Sequence, residues 1–203
     1  MADMLIERQE NGASNSQDSS SGLTVWLTGF SGAGKSTICE VLAPELRARG
    51  YSVMVLDADL IRKTISRDLG FNKADRDENI ARMSYLAKAF VNSGFVVLVA
   101  AISPYRQARL AARDHIGRFL EVYVDAPLST CMERDPKHLY ARALSGTIRN
   151  LTGLDDPYEA PENPDVHCRT EQETCMQSAM KVLAAITAAQ VRGFPRTAKS
   201  TTS

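Results

Sequence analysis

The sequence predicts an α/β fold of three layers, a mostly parallel sheet flanked by helices. Two observations predict it. Short apolar runs rich in β-branched residues, at 23–28, 52–56, 95–101 and 119–124, alternate with longer stretches of helical period. Runs of that kind suit strands buried on both faces, and helical stretches between them suit parallel crossovers. The runs also lead into small or acidic residues, Gly29, Asp57, Ser103 and Asp125, and in a parallel sheet the carboxyl ends of the strands are where ligands bind.

Taken in order, 1–21 is polar, rich in Ser, Asn and Gln and without an apolar core. It reads as a disordered lead-in, neither a signal peptide nor an anchor. One folded domain is expected over 22–190, followed by a disordered tail at 191–203. The strand at 23–28 runs into Gly29, Phe30, Ser31, Gly32, Ala33, Gly34, Lys35, Ser36 and Thr37. The pattern is G-x-x-x-x-G-K-S, the phosphate-binding loop, and it assigns the fold to the P-loop NTPase type. Glycines let backbone N–H groups turn onto anionic oxygens, and the following helix offers a positive dipole end. Lys35 then reaches the β- and γ-phosphates, and the Ser36 hydroxyl ligates Mg²⁺.

A helix over 35–49 ends at Gly50, and the strand at 52–56 ends in Asp57-Ala58-Asp59. A helix over 59–66 and a loop at 67–72 follow. Asp75 and Glu78 form a capping-box pattern that opens a helix ending at Gly94. Pro104 suits the first turn of the helix after the third strand. The helical pattern at 128–145 breaks at Asp135-Pro136. Residues 146–164 have no period and are dense in Gly, Pro, Asp and Asn, which reads as a lid or binding loop. A short strand at 166–168 precedes a closing helix, capped by Thr170 and Glu173, with Met176, Met180 and Leu183 towards the core.

Composition narrows the function. Lys plus Arg and Asp plus Glu number 24 each, without a basic run, so neither a nucleic-acid surface nor an anionic-membrane surface is indicated. No apolar run approaches the ~20 residues of a membrane span. The four cysteines have no metal-site spacing and read as reduced thiols of a cytoplasmic protein.

Asp57 and Asp59 leave a strand end beside the phosphate loop. They suit holding Mg²⁺ or its water shell and orienting an acceptor hydroxyl; a strand-end turn with an aspartate helix cap is the plainer alternative. Arg62 shares a helix face with Asp59, and Arg76 and Asn79 lie three apart on the next helix. Both arginines can fork onto an anionic acceptor, although each alone also fits a solvated surface. Phe71 stacks on a base or anchors its loop. Ser103 touches substrate or caps a helix.

The segments GFSGAGKST, DADLIR, DLGFNKADRDENI, ISPYR, VDAPL, RDPKHLY and LTGLDDPYEAPENP, in order over 22–165, together resemble the adenylylsulfate kinase family. The resemblance implies transfer of the γ-phosphoryl of MgATP to the 3′-hydroxyl of adenosine 5′-phosphosulfate, giving 3′-phosphoadenosine 5′-phosphosulfate in sulfate assimilation. It implies a homodimer and a functional link to a sulfate adenylyltransferase. ATP phosphates are placed on 29–37. Acceptor contacts are placed on Asp59, Leu60, Ile61, Arg62, Phe71, Arg76, Asp77, Glu78, Asn79, Ile102, Ser103, Lys137, Asn150 and Leu151, and the metal on Ser36 and Asp57. Asp59, Lys35 and Ser103 carry the catalysis. In the family the serine matching Ser103 is assigned as a phosphorylated intermediate, whereas direct in-line transfer needs only positioning and charge neutralisation. Ala58 and Leu60 stand where the family has Gly and Asn, Ala101 where it has Phe, and Leu151 replaces the lid's aromatic. These departures motivate two rival readings, a P-loop kinase for another nucleotide-like acceptor and a nucleotide-binding switch without turnover.

Overall fold

The computed structural model describes residues 22–192; the expected lead-in at 1–21 and the tail from 193 lie outside the described residues. Five strands, β1 (Leu23–Thr28), β2 (Val53–Asp57), β3 (Val96–Ala100), β4 (Phe119–Asp125) and β5 (Val166–Arg169), form one wholly parallel sheet in the order β2-β3-β1-β4-β5. All six residues of β1 are buried at the centre. Alternation divides the core in two. Leu23, Val25 and Leu27 join a cluster with Ile38, Leu42 and Leu46 of α1 (Lys35–Ala48) and Val182 and Ile186 of α7 (Cys175–Arg192). Trp26, Val97 and Val99 face the other way, onto Ile80, Met83 and Ala87 of α3 (Lys73–Asn92) and Ala112 of α4 (Arg106–Ile116). The three-layer expectation therefore holds.

The remaining helices are short: α2 (Ala58–Lys63), α5 (Leu128–Arg134) and α6 (Leu139–Leu144), the last two separated at Asp135-Pro136 as expected. Towards β4 and β5 the second face carries Tyr123 and His167, stacked 5.1 Å apart. The segment covering them is not a helix but the return of the 146–164 loop, whose Tyr158 ring lies 6.2 Å from Tyr123. Within that loop only a bridge between Thr152 and Asp156 is regular.

Five local expectations are corrected. α3 begins at Lys73 because Asn72, not Asp75, is the cap: its side chain accepts from Asp75 N at 2.9 Å, while the Asp75 carboxylate turns back to Gly70 N. α7 starts at Cys175 behind a capping box of Thr174 and Gln177, with Gln177 N donating to Thr174 Oγ1 and Thr174 N to Gln177 Oε1. It also runs to Arg192, into the expected tail, and Met176 is 52% exposed rather than in the core. Pro104 lies outside α4, whose first N–H, that of Arg106, donates to the Glu159 carboxylate; an anion there suits the helix dipole.

Candidate functional site

The phosphate loop sits between β1 and α1, over the centre of the sheet. Its glycines are dictated by close backbone approach: a Cβ on Gly29 would lie 2.2 Å from Val124 O, and one on Gly32, at φ +78°, 2.9 Å from Cys131 O. No side chain caps α1 behind Gly34, which leaves the helix N-terminus to an anion. Lys35 Nζ donates to Gly29 O at 2.9 Å and Phe30 O at 2.7 Å. Burial, and secondly the positive charge of Lys137, pull its pKa from 10.5 down to about 8. Phosphates favour the charged form, so nucleotide binding takes up a proton above that pH. kcat/KM for the nucleotide is therefore expected to fall as pH rises through about 8 in the free protein, which a pH profile of initial rates checks.

Ser36 Oγ donates to Asp57 Oδ2 at 3.0 Å, and the other Asp57 oxygen accepts from Asp59 N at 2.8 Å. Asp57, rather than Asp59, is thus the cap of α2, and the capping and cation-facing readings hold together on its two oxygens. No group of three His, Cys, Asp or Glu side chains fit for a metal ion occurs among the described residues. One hydroxyl and one carboxylate beside a phosphate loop nevertheless fit Mg²⁺, which keeps waters and takes phosphate oxygens as its other ligands.

These groups open onto a cavity of about 750 Å³. Ser31 to Thr37, Asp57 and Asp59 line its donor side; Arg62, Phe71, Arg76, Asn79, Ile102 and Ser103 line the other, and Lys137, Asn150 and Leu151 face in from the α5–α6 connection and the lid. Asp59 is paired with Lys137 Nζ. Arg62 donates to Gly70 O at 2.7 Å with its guanidinium 4.6 Å from the centre of the Phe71 ring. Arg76 donates to Phe71 O and to Asn150 O, so it ties the Phe71 loop to the lid. Burial, then the neighbouring charge of Arg76, lowers the pKa of Arg62. Asn79 is 3% exposed and its Oδ1 is buried without a partner, an acceptor kept dry at a cavity wall.

Other expected site residues fall elsewhere. Leu60 is 60% exposed and Ile61 belongs to the core on the α3 side. Asp77 pairs with Lys73 and Glu78 with Arg82, along the outer face of α3. Helical spacing separates these residues from Arg76 and Asn79. Gly29 and Phe30 support the cavity from behind, Gly29 against β4 and Phe30 with its ring 4.9 Å from Tyr158. Ser103 lines the wall at φ +44°, but its hydroxyl accepts from Trp26 Nε1 at 2.8 Å and donates to Ala101 O at 3.2 Å. A side chain so engaged serves the wall rather than offering a free nucleophile. Sequence reasoning missed Arg134, Thr170 and Glu173, which line the donor end. Thr170 Oγ1 donates to Ala33 O and Arg134 Nη2 to Thr170 O. Arg134 stood one residue before the Asp135-Pro136 break, where a helix end at the ligand edge was already legible.

The adenylylsulphate kinase family model matches residues 21–169. The chain belongs to the adenylylsulphate kinase family. The adenylyl-sulfate kinase of Microcystis aeruginosa is 55% identical over 161 residues, 79% of this chain and 89% of that one. That of Halothermothrix orenii is 52% identical over 162 residues, 80% and 88% of the two. Among solved structures, the Mycobacterium tuberculosis APS kinase in complex with AMPPNP and APS superposes with a TM-score of 0.80 at 41% identity, covering 82% of this chain and 98% of that one. The family match thus spans the phosphate loop, the lid and most of the cavity lining, and ends at β5, before Thr170 and Glu173. No helix among the described residues is long and apolar enough to cross a membrane.

Proposed function

We infer that this chain is an adenylyl-sulfate kinase, transferring the γ-phosphoryl of ATP to the 3′-hydroxyl of adenosine 5′-phosphosulfate. Family membership supports the reaction. The observation that carries it is one cavity with Lys35, Ser36 and Asp57 at the donor end and Arg62, Arg76 and the dry Asn79 oxygen at the other, with Asp59 between them.

Lys35 neutralises charge growing on the transferring group from a fixed, desolvated position. Asp59 orients the acceptor hydroxyl and takes its proton, after Lys137 gives way. Arg62 and Arg76 attract the acceptor's anionic end, and Phe71 offers a ring to its base. Ser36 and Asp57 would hold Mg²⁺, which would supply charge neutralisation at the phosphates. The lid excludes water that would otherwise take the phosphoryl group. The homodimer, the cytoplasmic location and the link to a sulfate adenylyltransferase rest on the family resemblance and belong to this proposal.

Of the four departures from the family pattern, Leu60 is turned away, whereas Ala58, Ala101 and Leu151 line the cavity. Acceptor choice is therefore tested directly. Incubation with MgATP and either adenosine 5′-phosphosulfate or adenosine 5′-monophosphate, followed by mass analysis, is expected to give a product one phosphoryl heavier from the sulfated acceptor. Equal ATP consumption with and without acceptor, and no such product, would overturn the assignment.

A further inference from the structure

Arg109 lies outside the cavity, yet it is 2% exposed and its guanidinium joins three segments that the reaction needs in register. Nε donates to Glu121 Oε1 of β4 at 2.7 Å, Nη1 to Ser103 O at 2.7 Å, and Nη2 to Glu159 O of the lid at 2.7 Å. A planar fork with donors fixed in three directions makes this junction possible, and an ammonium cannot copy it. Glu121 is itself held, its backbone N–H donating to Asp165 Oδ2 at 2.7 Å.

What the junction fixes is the acceptor wall. Ser103 adopts φ +44°, a left-handed conformation that a non-glycine residue keeps only when its surroundings impose it. Those surroundings are Trp26 on the hydroxyl and, on the carbonyl, Arg109 at 2.7 Å with Thr28 Oγ1 donating more weakly at 3.4 Å. The same arginine reaches the returning leg of the lid, which is held independently by Tyr158, its hydroxyl 3.0 Å from Thr28 Oγ1, and by Tyr105 on Asp156. The leading leg, through Asn150 and Leu151, lines the same cavity as Ser103. Tying the lid to the Ser103 turn therefore sets the width of the acceptor end, while the phosphate loop has its own supports on β4 and α5.

We propose that Arg109 is a positioning residue for the acceptor: a buried guanidinium that locks the Ser103 turn to the lid and sets acceptor affinity without touching the substrate. The proposal rests on the kinase reading above and locates part of its acceptor specificity.

Arg109→Lys keeps the charge beside Glu121 and loses the fork. It is expected to raise KM for adenosine 5′-phosphosulfate about tenfold while KM for ATP and binding of AMPPNP, measured by calorimetry, stay within about twofold, one order of magnitude being the worth of one to two such hydrogen bonds. Glu121→Gln, which retains an acceptor for Nε, is the milder variant and should show the same split at about threefold; it carries the test if Arg109→Lys does not fold. An equal rise in both KM values, or a lowered melting temperature with both unchanged, would overturn the proposal and reduce Arg109 to a purely structural residue. Failure of the kinase reading looks different: the unsubstituted protein would then give no phosphorylated product.

Discussion

Lys35→Met is expected to lower kcat/KM for ATP by on the order of 10³-fold, the scale on which removal of a preorganised charge from a phosphoryl-transfer site acts. The fold is expected to survive. The Lys35 ammonium is buried and makes its hydrogen bonds to two carbonyls of its own loop. It pairs with no carboxylate within ion-pair distance among the described residues, and Asp57 and Asp59 act on it only at longer range. Burial is the largest cause of its lowered pKa, so the charged form is held at a cost, and a methionine of similar length removes that cost while filling the space. The melting temperature should therefore stay level or rise while activity collapses. The fall in nucleotide affinity above pH 8 should vanish with the lysine. Steady-state kinetics across pH and thermal unfolding of the same preparation check both halves. A loss below tenfold would remove Lys35 from the machinery.

Much of this arrangement was legible in the sequence, for reasons that differ by residue. The loop from Gly29 to Ser36 was readable because its requirements are local. Backbone approach and helix start are encoded in consecutive residues, and the structure returns them as a Cβ clash at Gly29 and an uncapped α1. The central strands β1 and β3 were readable because burial on both faces demands apolar runs whatever their partners. Helix starts were less so. Asp75 was read as the cap, and setting it aside needed the position of Gly70, whose N–H draws the Asp75 carboxylate backwards. The lid was read as aperiodic, which it is. Its role as the cover of Tyr123 and His167 could not be read, because the contacts join positions such as Tyr158 and Thr28, 130 residues apart. The same holds for Asp77 and Glu78. A motif places them between Arg76 and Asn79, but only the direction in which α3 faces the sheet decides which of those four side chains meet the cavity.

The direction of Asp59 leads to the other large effect. Asp59→Asn is expected to lower kcat by about 10²–10⁴, the range for loss of a positioned general base, while nucleotide binding changes only slightly. Asp59 is half-exposed and its ion pair with Lys137 spans the cavity mouth, with side-chain exposures of 51% and 48%. Exposed pairs of this kind contribute only ~0.2–1 kcal/mol, so a changed stability cannot account for such a loss. Asparagine keeps the size and one acceptor oxygen but accepts no proton. Lys137→Met serves as the companion variant: it frees Asp59 and removes one positive charge that lowers the pKa of Lys35, so the onset of the high-pH loss should move upward. In single-turnover experiments, Asp59→Asn should bind AMPPNP normally and transfer slowly at every acceptor concentration. If saturating acceptor restored the rate, Asp59 would be a binding group for the acceptor, and the proton would have to leave by another route.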